Sequence, residues 1–150
     1  MSRTLVMVKP DGVERGLVGE IVRRLEAKGL RLVAAELRLL DEQTAGRLYD
    51  VHRDKPFFAE LVAFVTRSPA MALVVDEPDG GTEEGSEETW KVVRTLIGAT
   101  NPRQAAPGTI RGDLGLATTE NLVHGSDSTE AAAREISVLF PDLPGVSTPS

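Results

Sequence analysis

An α/β (α+β) domain of the ferredoxin-like, split βαβ kind, with a four-stranded antiparallel sheet and helices over one face, is predicted by three observations. Four short runs, "RTLVMVK", "LRLVAAELRLL", "PAMALVV" and "NLVHG", have strand length and apolar or alternating character. Segments with helical spacing stand between them. The order strand, helix, strand, two helices, strand, helix, long loop, strand, helix forms two βαβ halves with extra helices between. No internal repeat is evident, and residues 1–150 are expected to form a single domain.

The first strand should end at Lys9, where "PDG" signals a turn. "GLVGEIVRRLEAKG" spaces Leu17, Ile21, Val22 and Leu25 for a helix face, gathers Arg23, Arg24 and Lys28 late, and meets Gly29 just past the end. "LRLVAAELRLL" suits helix or strand; alternation at its ends favours strand. "DEQTAGRLYDVH" opens on an acidic cap, and "PFFAELVAFVTRS" is expected to begin at Pro56. "SEETWKVVRTLIG" offers Ser86 as cap and Gly98 as stop. Residues 99–115, rich in Gly, Pro and Thr, are expected to form a long structured loop, a feature commonly tied to function. "DSTEAAAREISVLF" closes the fold as a helix capped by Asp127 or Ser128, and the tail from about 141 to 150 is expected to be weakly ordered.

Composition narrows the function classes. The chain has no cysteine, which removes disulfides, thiol nucleophiles and Cys-based zinc sites. The N-terminal apolar run is too short for a signal peptide and no stretch approaches the ~20 apolar residues of a membrane span, so a cytoplasmic protein without membrane contact is expected. The net charge of −6 argues against bulk nucleic-acid binding. The acidity is local, because residues 76–88, "DEPDGGTEEGSEE", carry seven acids and no base, leaving the remainder near neutral. An anionic substrate therefore stays possible.

His124 is the first chemical candidate. A lone histidine at a strand end is commonly a hydrogen-bonded structural residue. Its neighbours favour chemistry: Gly125 permits close approach, Ser126 can donate a hydrogen bond, and Asp127 or Ser128 opens a helix whose first amides favour negative charge. Glu135, expected about three turns into that helix, can fold back to orient the imidazole, and a neutral ring so oriented is a competent nucleophile toward phosphorus. A transition-metal site fails on ligand supply, since His52 is the only other histidine. Lys9, Arg94 and Arg111 read one by one as solvated charges; with Thr100 they supply the point charge, forked donors and hydroxyl that a triphosphate needs. No Walker motif is present. Tyr49, Phe57 and Phe58 are three of six aromatics; the adjacent Phe pair points in different directions, so one ring could face a cleft and stack on a base while all three remain open to a core role.

"VMVKPDGVERGLVGEI", "DKPFF", "LIGATNP", "PGTIRGD" and "NLVHGSDS", in this order, closely resemble nucleoside diphosphate kinases over about residues 3 to 140. The resemblance implies a ping-pong transfer of the γ-phosphoryl group from a nucleoside triphosphate to a nucleoside diphosphate through a phosphohistidine. By matching positions it implies His124 as nucleophile, Glu135 as its orienting partner and Ser126 bonded beside them. Lys9 would contact the transferring phosphate and the ribose, with Tyr49 close by; Arg94, Thr100 and Arg111 would hold phosphates, Asn121 the sugar, and Phe57 the base. Mg²⁺ would arrive on the nucleotide without a protein cage of its own. A homo-oligomer, hexamer or tetramer, is implied as well. The acidic stretch looks longer than the family usually carries there, and Thr118 would face the base opposite Phe57 where an apolar residue is more comfortable. Two rivals remain: a non-catalytic nucleotide-binding module on the same fold, against which the intact residue set argues, and an RNA-binding sheet, which lacks its basic, aromatic strand motif, so no specific nucleic acid is expected.

Overall fold

Strand β1 (Thr4–Val8) is buried along its whole length, so neither of its faces meets solvent. Alternation sends Leu5 and Met7 to one side and Val6 and Val8 to the other, and each pair enters a different apolar core. The computed structural model describes residues 3–78 and 88–144. β1 pairs antiparallel with β3 (Ala70–Asp76) and with β4 (Val123–Gly125), while β2 (Arg31–Arg38) pairs antiparallel with β3. The order β2-β3-β1-β4 is that of the expected split βαβ sheet.

The helices cover both faces. On the first side Leu5, Met7, Ala72 and Val74 meet Ala45 and Leu48 of α3 (Glu42–Leu48), Val65 of α4 (Phe58–Thr66), and Ile136 and Leu139 of α7 (Thr129–Leu139). On the second, Val6, Val8, Leu73 and Val75 meet Ile21 and Leu25 of α2 (Val18–Lys28) and Val93 and Ile97 of α5 (Thr89–Ile97). This corrects the one-face expectation, and the reason is visible in "LVMV": an unbroken apolar run in a strand requires cover on both sides.

Three local expectations are also corrected. "PDG" is no isolated turn but the start of a short helix, α1 (Pro10–Glu14), because proline suits a first helical position where no amide donor is needed. Pro56 does not open α4; the helix begins at Phe58 after the 3₁₀ turn Asp50–His52 and a run of turns. The long loop contains a 3₁₀ turn, Pro102–Gln104, capped by Asn101, and a short helix, α6 (Ile110–Leu114), capped by the Thr109 hydroxyl on Gly112 N. Elsewhere the caps stand as expected: Asp41 accepts from Thr44 N, Ser128 accepts from Ala131 N, and Gly29 ends α2 in the left-handed conformation. Residues 79–87 of the acidic stretch, with the expected cap Ser86, and residues 145–150 of the tail lie outside the described residues.

Candidate active site

β4 is three residues long and uses both of its faces. Val123 joins the second core, where Gly125 also sits against Ile97 and Val93 of α5, while alternation turns His124 toward α7. There the Nε2 of His124 lies 2.7 Å from Glu135 Oε1, and the same oxygen accepts the Ser126 hydroxyl at 2.9 Å. Glu135 is in the second turn of α7, nearer its start than expected, because the helix begins only at Thr129. The carboxylate accepts a hydrogen bond from the Nε2–H, which leaves Nδ1 as the basic lone pair of a neutral ring. The histidine side chain keeps 20% exposure and its carboxylate partner 5%, so the ring is reachable and its orienting bond is dry. The Tyr49 ring stands edge-on to the imidazole, 5.7 Å between centroids. Burial, together with the Glu135 charge, pushes its hydroxyl pKa up, and the buried oxygen has no hydrogen-bond partner among the described residues.

A cationic group stands beside this triad. Lys9 caps α1 directly after β1, and its ammonium donates to Asn121 Oδ1 at 2.8 Å. Asn121 in turn donates to the carbonyl of Thr100 at 3.1 Å, which ties the loop to the start of β4. Arg111, on α6, donates to the carbonyls of Asn121, Val123 and Gly98 at 3.1, 2.5 and 3.3 Å, so much of its fork braces the segment that carries His124. Arg94, on α5, donates to the Gly125 carbonyl at 3.2 Å, one residue from the imidazole. Desolvation and then the Arg111 charge push Lys9 down to about 8, and desolvation and then Arg94 push Arg111 down to about 10. Like charges gathered under partial burial repel one another, and an anion relieves that repulsion.

Of the adjacent phenylalanines, Phe58 packs toward the first core and Phe57 remains 46% exposed, its ring 5.4 Å from that of His52. Phe57 follows the 3₁₀ turn Asp50–His52 in the chain and lies just before α4. Thr100 and Thr118 are exposed. No group of three or more His, Cys, Asp or Glu among the described residues could hold a metal ion.

The family model for nucleoside diphosphate kinase matches residues 2–144. The chain belongs to the nucleoside diphosphate kinase family. It is 54% identical over 143 residues to a nucleoside diphosphate kinase of Thermobifida fusca, covering 95% of this chain and 99% of that one. One from Archaeoglobus fulgidus is 53% identical over 142 residues, covering 95% and 88%. Among solved structures, a nucleoside diphosphate kinase family protein from Babesia bovis superposes with a TM-score of 0.86 at 43% identity, covering 95% of this chain and 91% of that one. A halophilic nucleoside diphosphate kinase from Halobacterium salinarum, solved in complex with CDP, gives 0.83 at 48% identity, covering 93% and 88%.

Beside these nucleoside diphosphate kinase motifs stand three residues whose contacts the sequence did not reveal. Asp11 reads in sequence as a turn residue, yet it is buried and bonded to the Leu122 amide at 3.1 Å. Arg134, not singled out in the sequence, donates to the carbonyls of Arg47 and Leu48 at 3.1 Å and stands 3.6 Å from Glu135 Oε2. His52 reads as a spare histidine, yet its ring contacts Phe57. The only available signal was proximity in the chain to "PDG", to Glu135 and to "DKPFF", already singled out.

Proposed function

We propose that this phosphotransferase moves the γ-phosphoryl group of a nucleoside triphosphate to a nucleoside diphosphate through a phosphohistidine at His124, with residues 1–150 acting as one domain. The observation that carries this reading is the His124–Glu135 pair: Nε2 is committed at 2.7 Å to a buried carboxylate and Nδ1 is thereby basic, beside converging cations. Nδ1 attacks the γ-phosphorus, the bond from phosphorus to the bridging oxygen breaks, and the diphosphate leaves with the electron pair. The proton stays on Nε2, where the Glu135 carboxylate accepts its hydrogen bond and faces the positive charge that the ring acquires, while Ser126 holds the carboxylate in place. In the second half the terminal oxygen of another diphosphate attacks phosphorus and the electron pair of the N–P bond returns to Nδ1.

Lys9, Arg94 and Arg111 bind and neutralise the phosphates, Thr100 and Asn121 add hydroxyl and amide contacts, and Tyr49 offers its orphan hydroxyl. Phe57 stacks on the base, a contact that any π-face satisfies and that accords with low base discrimination. The donor set is cationic and neutral, which fits Mg²⁺ carried by the nucleotide, where it supplies charge neutralisation on phosphate oxygens. A homo-oligomer, hexamer or tetramer, is supported by the edge position of β2 and by the 55% and 66% exposure of Leu37 and Leu39. A cytoplasmic site of action accords with the absence, among the described residues, of any helix long and apolar enough to cross a membrane.

The test is intact mass after mixing with ATP and Mg²⁺, then after adding dTDP. One phosphoryl group should load, then leave and be recovered as dTTP, and His124→Ala should abolish loading with the fold intact. Binding of ATP without any loading would return His124 to a binding or structural role.

A further inference from the structure

Leu122 is the one non-glycine residue with positive φ among the described residues, at +76°. The Val123 amide donates back to the Asn121 carbonyl at 2.9 Å, which makes Leu122 the apex of a γ-turn of the rare, strained hand. A branched, fully buried side chain does not choose this conformation unaided. The residue therefore has to be held.

The holding groups come from the chain just after β1. The Lys9 amide donates to the Leu122 carbonyl at 2.8 Å, and Asp11 Oδ2 accepts the Leu122 amide at 3.1 Å. Asp11 is 4% exposed, and that amide, itself buried, has its partner in the carboxylate. Gly12 permits the grip: a Cβ there would stand 3.0 Å from the Leu122 carbonyl oxygen and 2.7 Å from Val8 Cγ1. One side of the turn is Asn121, bonded to Lys9; the other leads within two residues to His124. Relaxing Leu122 to an ordinary φ would rotate both neighbours relative to each other.

We propose that Asp11 is a positioning residue for phosphoryl transfer: its carboxylate holds the Leu122 γ-turn and so fixes the spacing between Asn121 and His124. This rests on the reading of His124 as the nucleophile. A carboxylate suits the task because a charge-assisted bond to an amide is stronger than a neutral one. Its negative charge also helps Lys9 keep a proton against burial and Arg111.

The test is a double-mutant cycle at pH 7 on the full chain, reading the single-turnover rate at which ATP and Mg²⁺ load His124, by intact mass. Asp11→Ala should slow loading about 10²-fold, the scale of a small misplacement at a reacting centre. In the Leu122→Gly background the same change should cost less than about three-fold, since glycine takes positive φ without help. An equal loss on both backgrounds, or a loss under about three-fold on the native one, would overturn the proposal. Should Asp11→Ala not fold, Asp11→Asn keeps an acceptor at the same place: loading within about three-fold, with the Leu122 amide still protected from hydrogen exchange, is expected. A ten-fold loss there with that protection intact would show that charge, and not the turn, is what matters. A native chain that never loads would fail the nucleophile reading itself, a distinct result.

Discussion

Lys9 is held where burial and the Arg111 charge make its ammonium uncomfortable, a setting that suits its proposed phosphate contact. Its ammonium is pushed from 10.5 to about 8, chiefly by burial. Between those values the folded chain binds fewer protons than the unfolded chain, so this group's contribution to stability improves as pH climbs from about 8 toward 10.5. Over the same span the charge is lost. The value of kcat/KM, which reports the free enzyme, should therefore fall along an alkaline limb near pH 8, and Lys9→Arg should move that limb upward. A profile flat well beyond pH 8 would place the required charge elsewhere. Glu135→Gln retains the shape of the orienting partner without its charge, so kcat should drop by about 10² while the melting temperature changes little. Phe57→Ala should weaken nucleotide binding by about 1 to 3 kcal/mol in calorimetry; unchanged affinity would make its exposed ring irrelevant to the base. At this scale the proposed nucleophile was legible in the sequence, because "HGSDS" followed by Glu135 is chemically unusual. Asp11 was not, because a buried aspartate and a turn aspartate look alike until the amide it faces is known.

Among elements, β4 and α5 are locked together by a missing side chain. A Cβ on Gly125 would lie 2.8 Å from Ile97 Cδ1 and 3.3 Å from Val93 Cγ1. Gly125→Ala should therefore push α5 away, destabilise the fold by about 1 to 3 kcal/mol in urea, and raise the KM for nucleotide, because Arg94 rides on that helix. The helices themselves were readable: Asp41 and Ser128 cap, Gly29 stops, and each signal acts within a turn of its own residue. The misread elements were short ones. α1 and α6 have five residues apiece, too few to show a period, and their stability comes from docking against the strands that they serve.

For the whole molecule, the acidic stretch is the segment to which the proposed reaction assigns no role. Its described ends are tied down: Asp76 pairs with Arg31 at 2.9 and 3.0 Å, and Glu88 accepts the Thr129 hydroxyl at 2.9 Å. Deleting residues 78 to 85 removes neither anchor, so turnover and the sedimentation profile should stay those of the intact chain. A large loss of either would assign the stretch a role in catalysis or assembly.

The sequence alone determined the four strands, the long helices and, through a resemblance carried by five short blocks, the phosphotransferase reaction, because periodicity and caps act over a few positions and the motif residues stand close together in the chain. Only the tertiary structure decided that both faces of the sheet are covered, that Glu135 reaches Nε2 rather than Nδ1, and that Asp11 grips an amide 111 positions away. Those outcomes depend on which strand lies beside which. β1 lies between β3 and β4, and this long-range pairing brings Lys9 and Asp11 against Asn121 and Leu122, a proximity that no local pattern encodes.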